Sequence, residues 1–310
     1  VSLLHPLTRW TRTLDAAGVT DPALRADYGA QRRAVRRYRR EAYVAARLLV
    51  PPELVPHLLV ATAFMHHTDA LLDSGPPDGR RTAYAAWDRD VRAALAGGPA
   101  ADADDPLVRA LAHSCTVLPA LGGHVTAFLD TALTDLDFAG FATEGEYQAY
   151  VDAYSLPAVL VLASVLAPVT PQLRAACRAW IDGGQRVDFV ADLAEDLTAG
   201  RPGIPEETLT AFAVTREDLA AARDTPPVRA LLTHLLDLAE SSLTDGRALV
   251  DVTPPATRPM VRAMVTLDEL TVKAARAKGP EVLRTGARPP VRAALALLGR
   301  EYLAARRTPR

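Results

Sequence analysis

The stretch PPELVPHLLVATAFMHHTDALLD, residues 51–73, decides the fold class. It is apolar at most positions from Leu54 to Met65, too long for an ordinary strand and without two-residue alternation, so it predicts a helix buried on most sides. Pro51 and Pro52 suit a first helical turn, and SGPPDG (74–79) stops it. Asp69 and Asp73 stand four residues apart in this run and therefore share a face. A buried helix holds two like charges only if water or a cation meets them.

The same signals continue outward. YRREAYVAARLLV (38–50) sets Ala42, Val44, Ala45, Ala46, Leu48 and Leu49 beside a basic side. Proline-glycine clusters such as AGGPAADADDP, LAPVTP, TAGRPGIP, DVTPPATRP and TGARPP separate segments one helix or one helical hairpin long. β-Branched residues are scattered, and no hairpin turn joins alternating runs. With 310 residues, 49% of them hydrophobic, the chain predicts one all-α domain of about ten or more helices spanning residues 1–310.

Composition narrows the function classes. A net charge of -2 gives no global basic field for nucleic acid. Cys115 and Cys177 lie far apart without metal-ligand spacing, so a reduced, cytoplasmic setting is the expectation. VSLLHPLTRWTRTL at the amino end has no long apolar segment of the signal-peptide kind, and VLVLASVLAPV is too short to span a bilayer. The basic carboxyl end predicts an amphipathic helix with at most peripheral membrane contact, a solvated basic face being favoured.

A second acidic stretch answers the first. QRVDFVADLAEDLTAGRPGIP (185–205) carries Asp188, Asp192 and Asp196 at four-residue steps among Val187, Phe189, Val190 and Leu193. Two carboxylate faces in apolar surroundings, without clustered cysteine or histidine, suit a hard cation, and Mg2+ takes one or two carboxylates plus phosphate oxygens. That pattern fits ionisation of a diphosphate ester beside an apolar cavity that excludes water.

Together these motifs resemble the squalene and phytoene synthases. YVAARLLVPPELVPHLLVATAFMHHTDALLD (43–73) is similar to that family's first aspartate region, QRVDFVADLAEDLTAGRPGIP to its second, LTDLDFAGFATEGEYQAYVDAY (133–154) to a segment between them, and EVLRTGARPPVRAALALLG (281–299) to a basic segment near its carboxyl end. The resemblance implies a helical bundle of isoprenoid-synthase type around a central apolar cavity. It implies that Asp69, Asp73, Asp188, Asp192 and Asp196 hold Mg2+ and serve catalysis, and that Arg47 and Arg201 contact diphosphate. His66 stands at a family arginine position and is either a diphosphate or acceptor contact or a satisfied structural histidine. Tyr43, Phe64, Leu156, Val159 and Phe189 are the expected lining of the prenyl or acceptor pocket.

Departures from the family pattern shape the functional expectation. Leu156 and Val159 stand where glycines are expected, Pro157 should kink or restart its helix, Gly203 replaces an aromatic, and Ala70 replaces the middle aspartate of the first motif. The expectation is Mg2+-dependent transfer of a short prenyl group, such as dimethylallyl, to a small aromatic acceptor in specialised metabolism. The alternative is head-to-head condensation of two prenyl diphosphates.

Overall fold

A computed structural model describes residues 10–73, 75–97, 104–136 and 138–307. The amino-terminal segment read for a signal peptide falls largely outside them, as do Ser74, residues 98–103 and Asp137 of the predicted stops and motifs. Among the described residues every regular element is helical. The amino-terminal half comprises α1 (Trp10–Ala16), α2 (Pro22–Tyr38), α3 (Arg40–Leu49), α4 (Val55–Asp73), α5 (Pro77–Leu95), α6 (Pro106–Val117), α7 (Pro119–Thr131), α8 (Leu133–Leu136), α9 (Glu144–Tyr150) and α10 (Leu156–Leu166). The carboxyl-terminal half comprises α11 (Pro171–Ala191), α12 (Leu193–Thr198), α13 (Glu206–Ala211), α14 (Arg216–Ala220), α15 (Pro226–Gly246), α16 (Ala248–Val252), α17 (Arg258–Lys278), α18 (Val282–Thr285) and α19 (Val291–Arg307).

The punctuation read from sequence sets these boundaries. Thr170 and Thr225 cap α11 and α15 by accepting from the Leu173 and Val228 N–H groups, with Pro171 and Pro226 in the first turns. The helix predicted from Pro51 starts later. Pro51 accepts from the N–H groups of Leu54 and Val55 in a tight turn, and α4 begins at Val55 with Pro56 in its first turn. From Val55 to Phe64 only Thr62 on α4 escapes burial.

α4 packs against α2, α5, α6 and α10, while α11 and α15 form the closest helix pair. Two glycines permit that approach: a methyl at Gly183 would lie 2.8 Å from the Leu243 nitrogen, and one at Gly246 would lie 2.6 Å from the Trp180 Cα. One contiguous apolar core joins both halves, and a smaller aromatic cluster gathers around Phe141, Tyr147 and Tyr150.

Between α9 and α10 the chain makes a π-helical turn, Val151–Ser155, in which the Leu156 N–H donates to the Val151 carbonyl. Pro157 has no N–H for the Ala153 carbonyl and its ring crowds that oxygen, so a wider turn relieves the clash. The composite helix Glu144–Leu166 is long and apolar enough to cross a bilayer, which the sequence alone did not predict. Half of its apolar window is nevertheless buried, and it packs on α4, α7 and α11 as a core helix.

Candidate functional site

Asp69 and Asp73 occupy the last turns of α4, and Asp188 lies in the last turn of α11. The predicted acidic helix is segmented: Asp192 caps α11 with φ -106° and ψ 9°, and Asp196 belongs to α12. Its register survives, because the Asp192 N–H donates to the Asp188 carbonyl at 2.8 Å and the Asp196 N–H to the Asp192 carbonyl at 3.1 Å. Arg201 joins the two motifs. Its guanidinium reaches Asp73 Oδ1 at 3.5 Å and its backbone N–H donates to the Asp196 carbonyl at 2.9 Å.

The end of α9 and the π turn each add a hydroxyl to this constellation. Tyr154 donates to Asp69 Oδ1 at 2.8 Å, and Tyr150 donates to Asp135 Oδ1 at 2.7 Å. Asp135 lies in the LTDLDF segment but carries no sequence signal of its own role. Its charge acts on Asp69, so a third carboxylate stands by the first motif. On the other side Asp268 of α17 accepts from Trp180 Nε1 at 2.7 Å and feels the charge of Asp188. In sequence Asp268 looked like any acid on an amphipathic helix.

These carboxylates hold protons unusually well. Burial raises Asp69 to about 6, with Asp135 and Asp73 adding to the rise while the Tyr154 hydrogen bond and Arg39 oppose it. Burial and then Asp192 raise Asp188 to about 6, and the same two causes raise Asp196 to about 6. Asp268 is pushed to about 7, first by burial and then by Asp188. Asp188 has accessible surface yet is strongly desolvated, as expected of a carboxylate facing a concavity whose walls displace bulk water.

Crowded carboxylates of this kind suit a divalent cation. Among the described residues no three His, Cys, Asp or Glu side chains converge tightly enough to cage a metal unaided. That donor set fits Mg2+, which takes few carboxylates and fills its shell with phosphate oxygens and water.

Several predicted residues serve elsewhere. Arg47 is buried and turned toward α1, where it donates to Thr13 Oγ1 at 3.2 Å and lies over the Trp10 ring. Arg39, which the sequence did not single out, is the cation whose charge acts on Asp69, Asp188 and His66. His66 is exposed and stacks on Tyr38 at 3.6 Å; burial, Arg39 and His67 lower its pKa, so it is neutral at pH 7. Phe64 is fully buried between Trp87 and Phe128, hence core rather than pocket lining, and Tyr43 is half-buried against the same core.

Leu156 is likewise in the core. Phe189 belongs to the aromatic cluster with Phe138, Phe141 and Tyr147. Val159 does line a small apolar cavity of about 40 Å³, which runs along α10 to Leu166 and is bounded by Trp180 of α11 and by Val261 and Met264 of α17.

The family model described as Squalene/phytoene synthase matches residues 35–294. The chain belongs to this family. Its fold is that of the isoprenoid synthases: it superposes with a TM-score of 0.75 and 24% identity on the squalene synthase HpnC from Alicyclobacillus acidocaldarius, covering 85% of this chain and 98% of that one. A dehydrosqualene synthase gives a TM-score of 0.79 at 17% identity, covering 92% and 98%. The bifunctional protein CrtB/UppS of Streptomyces coelicolor is 29% identical over 203 residues, which are 65% of this chain and 35% of that longer protein. Squalene/phytoene synthases are prenyltransferase-type enzymes acting on prenyl diphosphates.

Proposed function

We propose that this squalene/phytoene synthase family member condenses two prenyl diphosphates head to head. The observation that carries the proposal is the pair of acidic faces, Asp69 and Asp73 on α4 and Asp188, Asp192 and Asp196 along α11 and α12, which Arg201 links in a chain that belongs to this family. The sequence favoured a small aromatic acceptor because Leu156 and Val159 replace glycines. Leu156 packs into the core, however, so of the two only Val159 reaches the cavity. Family membership also supports condensation over an aromatic acceptor.

Asp69 and Asp73 on one side and Asp188, Asp192 and Asp196 on the other are the proposed holders of Mg2+, which when bound stabilises the negative charge of a departing diphosphate. Arg201 sits between the two groups at Asp73, and Arg39 adds positive charge by Asp69 and Asp188. An allylic cation needs apolar surroundings that exclude water, and Val159, Leu162 and Met264 are the apolar side chains proposed to supply them. Coupling to the second prenyl double bond releases one diphosphate and one proton. The Tyr154 hydroxyl, hydrogen-bonded to Asp69 Oδ1, is the protein group proposed to relay that proton.

The test is incubation of the purified protein with Mg2+ and farnesyl or geranylgeranyl diphosphate, with and without NADPH, followed by mass spectrometry of the organic extract. A C30 or C40 product, either a cyclopropyl diphosphate recovered as its alcohol or a hydrocarbon, is expected. Inertness toward both, with efficient prenylation of an aromatic acceptor from dimethylallyl diphosphate, would overturn the proposal.

A further inference from the structure

α19 has two unlike faces. Leu297 and Glu301 are buried, Leu298 and Tyr302 pack on the core, and Glu301 receives Arg262 and Arg300, both at 3.0 Å. Through this face the helix rests on α17 and α3. On the opposite face Val291, Leu295 and Leu303 are 73%, 62% and 55% exposed, the three most exposed large apolar side chains among the described residues. Steps of four and eight residues, with exposed Gly299 between, place them on one stripe.

Arg292, Arg300, Arg306 and Arg307 are exposed on the same helix. Its single acidic residue is the buried Glu301, which pairs with Arg300, so Arg292, Arg306 and Arg307 have no acidic partner on the helix. The whole segment from Lys273 to Arg310 has ten basic against two acidic residues, in a chain whose net charge is -2.

We infer that this stripe docks the protein on an anionic lipid bilayer surface. Interfacial helices combine exposed Leu and Val with flanking arginines, the apolar side chains entering the acyl boundary while guanidinium groups reach the headgroups. A second copy of the chain is the poorer occupant, because a two-fold contact through α19 would set arginines against arginines with no exposed acid on the helix to offset them. The consequence is geometric: α17, on which α19 rests, also supplies Val261 and Met264 to the apolar cavity, so a docked protein holds that cavity one helix from the bilayer.

The test is co-sedimentation of the full chain with vesicles of phosphatidylcholine alone or with about one quarter phosphatidylglycerol, at low and high salt. Light scattering on the vesicle-free protein reads the oligomeric state. Binding is expected only to the anionic vesicles and should weaken with salt. The double variant Leu295→Glu/Leu303→Glu should weaken it at least tenfold. Arg292→Gln and Arg306→Gln should each weaken it about fivefold, as for one basic residue at such a surface. All four positions are exposed, so melting temperatures should match the wild type. Equal affinity for neutral and anionic vesicles, unchanged binding by the variants, no binding at all, or a dimer that the Leu295 and Leu303 changes dissociate would each overturn the inference.

Discussion

Gly203→Ala is the sharpest test of how this chain replaces the aromatic missing from GRPGIP. A methyl at Gly203 would lie 2.1 Å from Phe189 Cγ and 2.2 Å from Cδ1, against the 3.5–4.0 Å at which carbon atoms pack. The ring must therefore move by more than about 1 Å. It is hemmed in by Phe138, Phe141 and Tyr147, at centroid distances of 6.3, 6.0 and 6.3 Å. Overpacking of this kind costs about 1–3 kcal/mol, and the upper half of that range applies because no neighbour yields freely. At roughly 2–4 °C per kcal/mol for a chain of this class, the melting temperature should fall by about 4–12 °C.

Activity should fall further than stability, because Gly203 lies two residues beyond Arg201, whose reach to Asp73 spans the two acidic motifs. The assay is a double-mutant cycle in urea with Phe189→Ala, which removes the obstructing ring. The double variant should be more stable than the sum of the single effects by roughly 2 kcal/mol. A Gly203→Ala protein that melts with the wild type, or additive effects in the cycle, would refute the packing argument.

The remaining predictions concern the carboxylates. Asp69→Asn and Asp188→Asn each remove a charge that burial already disfavours, so turnover should fall by about two orders of magnitude or more while the metal-free protein melts unchanged or higher; near-normal turnover would remove these residues from the chemistry. Tyr154→Phe removes a hydrogen bond that favours ionised Asp69, so the acid limb of the kcat/KM profile should move upward, and an unmoved profile would disconnect the pair. Asp268 holds its proton more tightly folded, at about 7, than its ordinary 3.8, so its stabilising effect is complete below about pH 4 and is lost as pH rises through 7. Buried histidines such as His57, lowered to about 4, act with the opposite sign below pH 6.5, so the informative quantity is the difference from Asp268→Asn: between pH 5.5 and 8 the wild type should lose on the order of 2 kcal/mol relative to the variant, and denaturant midpoints that stay parallel would contradict it.

Much of this architecture was legible because it is written in local signals. The apolar run ending at Asp73 and the four-residue steps from Asp188 to Asp196 determine which helices are buried and which faces are acidic, and proline-glycine clusters fix where helices end. The segmentation at Asp192 left the register intact because its backbone bonds continue across the break. The direction of a side chain around a helix was less legible. Arg47 and Arg39 are both arginines at the edge of the first motif, and only packing against Trp10 decides that Arg47 turns toward α1, while it is the charge of Arg39 that acts on Asp69 and Asp188. Phe64 reads equally well as core or pocket, since an all-round apolar helix has no outward face in its sequence. The basic carboxyl end read as a solvated face, and its arginines are exposed, but charge counting did not register that Leu295 and Leu303 are exposed beside them.

The departures around Leu156 and Pro157 have a different meaning in three dimensions than in sequence. Read linearly, a larger side chain and a proline in place of small residues fill the space where a second substrate would lie. In the fold, Pro157 withholds the N–H that an α-helix would give to the Ala153 carbonyl, and the chain answers with a turn closed from Leu156 to Val151. That turn joins α9 to α10. It leaves Tyr150 facing Asp135 and Tyr154 facing Asp69, while Leu156 enters the core and Val159 reaches the cavity wall. The segment that looked like loss of a pocket therefore carries two tyrosine hydroxyls that meet two carboxylates by the first acidic face. Because each hydroxyl supplies only one donor, neither carboxylate is neutralised, and both remain raised above their ordinary range. That unbalanced negative charge is what a bound cation would offset, which is why the proposed Mg2+ is assigned to this acidic face.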